Sequence, residues 1–126
     1  MVLKLLPWDL TVCQPESMGD IDFGAELVFV GKTDGELSLV CPTENCPART
    51  SAREDGWRGM RIEGVLDFSL IGILSKLSGV LAEAGVGIFA VSTYNTDYIL
   101  VKAEQLACAQ SALTAAGYVF INETAD

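Results

Sequence analysis

The stretch Gly64-Val-Leu-Asp-Phe-Ser-Leu-Ile-Gly-Ile-Leu-Ser-Lys-Leu-Ser-Gly-Val-Leu-Ala-Glu-Ala-Gly-Val-Gly-Ile-Phe-Ala-Val-Ser-Thr-Tyr-Asn-Thr-Asp-Tyr-Ile-Leu-Val-Lys102 decides the fold. Ile71, Leu74, Leu77, Leu81 and Ala84 recur at spacings of three and four, so they form one apolar stripe of a helix whose other face carries Ser75, Lys76, Ser78 and Glu83. Ser69 stands where a side-chain oxygen caps a first helical turn, and Gly85 follows the last periodic residue, where a left-handed closing residue is expected. From Val86 the period changes to two: Ile88, Ala90 and Ser92 alternate with Phe89, Val91 and Thr93. Tyr94-Asn-Thr-Asp97 then makes a turn, and Tyr98–Val101 resumes as a strand.

Working outward, Leu106, Ala109 and Leu113, with Ala116 and a stop at Gly117, predict a second helix, followed by a short strand over Tyr118–Ile121. A strand at Met60–Val65 precedes the first helix, which makes the order β-α-β-β-α-β. Two one-sided helices and four strands with one apolar face are satisfied when both helices lie on the same side of an antiparallel sheet, an α+β arrangement.

Towards the N-terminus, Val2–Leu6 and Leu10–Gln14 read as extended segments split by Pro7. Pro15–Ala25 is polar and broken by Gly19 and Gly24, so a helix there is expected to be missing or reduced to a turn. Leu27–Val30 and Leu37–Val40 flank an Asp34-Gly35 turn and read as a hairpin. Thr43–Gly56 reads as loop, with a weakly patterned short helix at Ala48–Glu54 as an option. No repeat between the two halves stands out from pattern alone.

The chain has 126 residues, half of them apolar, which suits one compact unit or two very small ones. A net charge of −9 opposes binding to phosphate backbones or anionic membranes, while a small zwitterionic or cationic ligand is compatible with it. Met1–Leu6 is apolar but is cut short by Pro7-Trp8-Asp9, and no run reaches membrane-spanning length, so a cytoplasmic protein is expected. There Cys13, Cys41, Cys46 and Cys108 should stay reduced. The wide Cys41–Cys46 spacing and the absence of histidine argue against zinc, so neither a metal nor a cofactor is expected. Without histidine, a phosphate-binding loop or a nucleophile elbow, an enzyme would have to work through a cysteine, and catalysis is the weakest reading.

Two places could hold a ligand. The turn Phe68-Ser-Leu-Ile-Gly72 presents free N–H groups at the positive end of a helix, a seat for a carboxylate. The plainer alternative is that Ser69 only caps and Gly72 only packs. Asp97, at the rim of a sheet, could meet an ammonium or guanidinium group, against the plainer alternative that Asn95-Thr-Asp97 is turn chemistry.

The runs Ser69-Leu-Ile-Gly-Ile-Leu74, Leu81-Ala-Glu-Ala-Gly-Val-Gly-Ile88 and Ser92-Thr-Tyr-Asn-Thr-Asp-Tyr-Ile-Leu-Val101, with Glu36-Leu-Ser-Leu-Val-Cys-Pro42, resemble the ACT domain. More narrowly they resemble the small bacterial tandem ACT proteins that are similar to the ACT pairs of eukaryotic cytosolic arginine sensors. The resemblance implies two ferredoxin-like ACT units: a degenerate one over residues 1–59 with weak or missing helices, and a complete one over 60–126. It also implies a regulatory protein that binds an amino acid between ACT units. Ser38 and the Leu39 backbone would form one wall, and Gly72, Ile73, Thr93, Asn95 and Asp97 the other, beside the Ser69 turn. Where the arginine sensors carry a further carboxylate this chain has Ser75, so a neutral or smaller amino acid is as well matched as arginine. A homodimer or higher homo-oligomer and an effector protein are the implied partners, with no nucleic acid or membrane. The alternative is an oligomerisation or protein-interaction module without a ligand.

Overall fold

The computed structural model describes residues 1–63 and 72–122. The chain forms two compact units. Met1–Pro7 group with Arg58–Asp126, and Trp8–Trp57 form the other unit. The chain passes between units inside two long strands, β1 (Val2–Pro15) and β4 (Thr50–Ile62).

The larger unit contains β4, α1 (Ile73–Glu83), β5 (Phe89–Ser92), β6 (Asp97–Lys102), α2 (Leu106–Ala115) and β7 (Val119–Asn122), the expected β-α-β-β-α-β order. β4 lies beside β6 and β6 beside β5, with Phe89 opposite Leu100 and Ser92 opposite Asp97 in an antiparallel register. The first residues of β1 add a strand that the sequence does not announce. They lie between β4 and β7 and run parallel to β7, with Val2 opposite Val119 and Leu5 opposite Asn122. Glu63 N–H donates to the Val2 carbonyl at 2.9 Å on the other side. Leu3, Met60, Ile62, Leu77, Leu81, Ile99, Val101, Ala109 and Leu113 are all fully buried in a single core shared by the strands and both helices. At roughly 1.5–3 kcal/mol per buried large apolar side chain, this core is what fixes the helices on the sheet.

Both helices end as the sequence predicts. Gly85 (φ 77°) follows α1, with Gly85 N–H donating to Ala82 and Val86 N–H to Leu81. Gly117 (φ 99°) follows α2, with the same pair of bonds from Gly117 to Thr114 and from Tyr118 to Leu113. These are Schellman closures, in which the residue after the glycine, Val86 or Tyr118, turns back into the core.

In the Trp8–Trp57 unit the neighbouring strands are β2 (Phe29–Lys32), β3 (Leu37–Pro42), β1 and β4. Val12 pairs with Val40 and Cys13 with Leu39, and on the far side of β3 Val30 pairs with Leu39. In place of α1 this unit has a single 3-10 turn, Met18–Asp20, as its polar sequence suggests. Its core is small: Cys13, Ile21, Leu39 and Cys41, with Val28, Val30 and Cys46 against them. A polar pin supplements that core. Fully buried Thr11 donates its hydroxyl to Asp55 Oδ1 at 2.7 Å, and its Oγ1 lies 2.9 Å from Thr43 Oγ1.

A repeat invisible to pattern reading becomes plain here. β2, β3 and the 3-10 turn Thr43–Asn45 recur as β5, β6 and the 3-10 turn Ala103–Gln105, each starting and ending sixty positions later. Even the turns agree: Thr33 N–H donates to Glu36 O at 3.0 Å, and Thr93 N–H to Thr96 O at 2.8 Å. After the second copy the chain continues into α2. After the first it reaches Cys46-Pro47 and enters β4.

Four sequence expectations are corrected. The expected Thr43–Gly56 loop, with its optional Ala48–Glu54 helix, gives way from Thr50 to the exposed first half of β4, because the segment has no apolar stripe to bury and strand pairing satisfies its backbone. β1 runs unbroken through Pro7, an exposed position at which losing one donor is tolerated. β2 and β5 begin two or more residues later than the apolar runs suggest. Helix α1 starts at Ile73 with Gly72 at its N-cap, later than a stripe from Ile71 and a Ser69 cap imply. Gly72 adopts φ 80°, a non-helical conformation, so the helix cannot extend back through it. Ser69 and Ile71 themselves lie outside the described residues.

Candidate functional site

A recess opens at the start of α1 in the larger unit. The first intrahelical bond runs from Lys76 N–H to Gly72 O at 2.8 Å. The N–H groups of Ile73, Leu74 and Ser75 precede it, and Gly72 brings no side chain to cap them. A cleft of about 370 Å³ opens there, lined by Met1, Gly72, Ile73, Lys76, Ala116, Gly117 and Tyr118. One wall is therefore the helix start and the other the glycine closure of α2. Among the described residues of the lining Lys76 has the only charged side chain, and with the helix end it gives this part of the cleft a positive bias suited to a carboxylate.

Among the described residues Gly72 does not pack against a neighbouring strand: a Cβ added there would meet none of them within 4 Å. The glycine is required by its left-handed backbone, and the open space beside it is accessible to a ligand.

The other proposed wall residues cluster at the β5–β6 turn. Thr93 Oγ1 donates to Thr96 O at 2.9 Å, so its hydroxyl is already engaged in closing the turn. Asn95 is exposed. Asp97 is half-buried at the first position of β6, opposite Ser92. Thr96, which sequence reasoning passed over, is buried and ties this turn to β4 by donating its hydroxyl to Ile62 O at 2.7 Å. Thr93, Asn95 and Asp97 do not line the cleft at α1, whereas Gly72 and Ile73 do. Ser38 and Leu39 lie on β3 in the other unit. Ser38 is half-buried opposite Gly31, and the Leu39 side chain is buried on a strand paired on both sides.

No group of three or more metal-ligating side chains is assembled among the described residues. No described helix is long and apolar enough to cross a membrane.

A sheet with two helices packed on it through one core defines a small α+β domain. Residues 52–115 match the ACT domain family, and the chain belongs to that family. Over 60 residues it is 37% identical to "Cytosolic arginine sensor for mTORC1 subunit 1" of Rattus norvegicus, an alignment covering 47% of this chain and 18% of that protein. The chain thus spans less than a fifth of the curated relative it matches. Among solved structures it is similar to protein Atu0741 from Agobacterium tumefaciens, with a TM-score of 0.83, 28% identity, and coverage of 98% of this chain and 93% of that one. It shares its fold with the regulatory subunit of aspartate kinase from Thermus thermophilus, with a TM-score of 0.56, 13% identity, and coverage of 87% and 93%.

Proposed function

We propose that this chain is a non-catalytic cytoplasmic regulatory protein that binds an amino acid. The observation that carries this reading is the positively biased cleft at Gly72 and Ile73 in a domain of the ACT family. A ligand's α-carboxylate would accept from the open N–H groups at the helix start; Asp97 does not line that cleft, and its role towards the ligand's amino group or side chain rests on the resemblance to the arginine-sensor ACT pairs. The roles of Thr93, Asn95, Ser38 and Leu39 in a second wall rest on the resemblance to the arginine-sensor ACT pairs, as does that of Ser69. Output would pass through self-association or an effector protein.

The test is thermal unfolding of the purified chain with each of the twenty amino acids. A true ligand at a hundred times its Kd stabilises by about 2.7 kcal/mol. Asp97→Ala should abolish the shift while the unliganded protein melts normally, and a chain that responds to none of the twenty would overturn the reading. A ligand-free interaction module is the second reading, favoured by the exposure of Val119 (57%) and Ile121 (41%) on β7. Sedimentation across concentration in the absence of amino acids is its test, with constant self-association as the expected result.

A further inference from the structure

Three of the four cysteines, Cys13, Cys41 and Cys46, meet in the small core of the Trp8–Trp57 unit. The Cys46 S–H donates to Cys13 Sγ across 3.8 Å, close to van der Waals contact for two sulfurs, and Pro47 O accepts at 3.6 Å. Cys13 is held on β1 opposite Leu39, only 3% exposed. Cys46 is half-buried and follows the Thr43–Asn45 turn in extended conformation, where the chain is not paired into the sheet. One sulfur is thus fixed in a strand, and the other sits on a connection that can close the remaining distance to a bond of about 2.0 Å.

We propose that Cys13 and Cys46 are a reversible dithiol–disulfide pair that responds to peroxide. Cys46, the sulfur reachable from solvent, attacks one peroxide oxygen. The O–O bond breaks, one water leaves, and Cys46 becomes a sulfenic acid. Cys13 sulfur then attacks Cys46 sulfur, the S–S bond forms, the S–O bond breaks, and the departing oxygen leaves as a second water with the Cys13 proton. Two thiols lose two protons and two electrons, and the peroxide is reduced to two waters. A dithiol reductant reverses the change.

Burial pushes the Cys13 thiol up to about 12 and the Cys41 thiol up to about 11, so both remain protonated near neutral pH. The thiolate is the attacking form, so Cys13 must pass its proton to the departing oxygen as the S–S bond forms, which slows the closing step. The Arg53 guanidinium, braced by Asp55 at 2.9 Å, opposes those shifts and favours negative charge on the cluster. The cross-link would tie β1 to the segment entering β4 across a separation of 33 residues, in a unit that has no α-helix of its own among the described residues.

The test treats the reduced full chain with hydrogen peroxide and follows it by non-reducing peptide mapping and thermal unfolding. The expected product joins the Cys13 and Cys46 peptides, melts at a higher temperature than the reduced chain, and reverts with dithiothreitol. In Cys13→Ser the cross-link is lost and dimedone traps a sulfenic acid at Cys46. A Cys41–Cys46 bridge, or oxidation confined to Cys108 or stopping at a Cys46 sulfinic acid, would overturn the proposal. Because the mapping is read on the unsubstituted chain, it decides even if a variant fails to fold.

Discussion

The Thr96 hydroxyl donates to the Ile62 carbonyl at 2.7 Å, in a position where neither group meets water. This bond fastens the β5–β6 turn, with Asp97 next in sequence, to the strand that leads towards α1. Thr96→Val keeps the shape but leaves the carbonyl without its donor, a loss of about 1–3 kcal/mol. Urea unfolding should show that loss, and Thr96→Ser should recover most of it. Equal stability of Thr96→Val and the parent chain would show that the bond contributes nothing.

Gly72 is the second point of control. Its φ of 80° disfavours any side chain with a Cβ, although an added Cβ would meet no described residue within 4 Å. Gly72→Ala should therefore lose about 1–2 kcal/mol from backbone strain alone. Gly72→Asn should lose less, since asparagine tolerates the left-handed region. A fully neutral Gly72→Ala in denaturant titration would mean that the helix start relaxes to another conformation.

Leu113 anchors α2 and is fully buried in the core of the larger unit. Leu113→Ala should cost about 2–5 kcal/mol, combining lost transfer energy with a cavity. The measurement is equilibrium unfolding followed by far-ultraviolet circular dichroism. A cost below that of Thr96→Val would argue that the two helices contribute little to the unit's stability.

Alkaline pH should weaken the Trp8–Trp57 unit. Cys13 and Cys41 ionise at about 12 and about 11 when folded, against 9.0 for an ordinary thiol, principally because burial disfavours the thiolate. Below pH 9 both states hold the protons and stability is independent of them. Between 9 and about 11 the unfolded chain releases protons that the folded chain retains, so stability falls as pH rises. Urea midpoints across that window should decline, and Cys13→Ala should flatten the decline. A midpoint that rises with pH in that window would contradict the assignment.

Much of the larger unit was legible because its signals are local. The Leu74, Leu77, Leu81 stripe and the glycines at 85 and 117 mark helices and their ends without reference to the rest of the chain. The first strand of that unit's extra pairing, Val2 against Val119, carries no local signal, since nothing in either segment names its partner. The same limit hid the start of β4: Ser51–Gly56 is exposed, so it lacks the apolar alternation by which strands are recognised. The sixty-residue recurrence escaped notice because its matching positions preserve shape rather than identity. Thr33 and Thr93 do the same turn chemistry, but Leu37 stands where Asp97 does. Of the site, Gly72 was named from the helix start and Ile73 through the resemblance, whereas Lys76 was read only as part of a solvated face, and its place in the cleft depends on Gly117 and Tyr118 arriving from a distant helix end.

The pairing of Val2 with Val119 also sets an order of events during synthesis. β7 is made long after β1, so the facing side of β1 has no parallel partner until the segment around Val119 exists. Contacts so far apart along the chain slow folding.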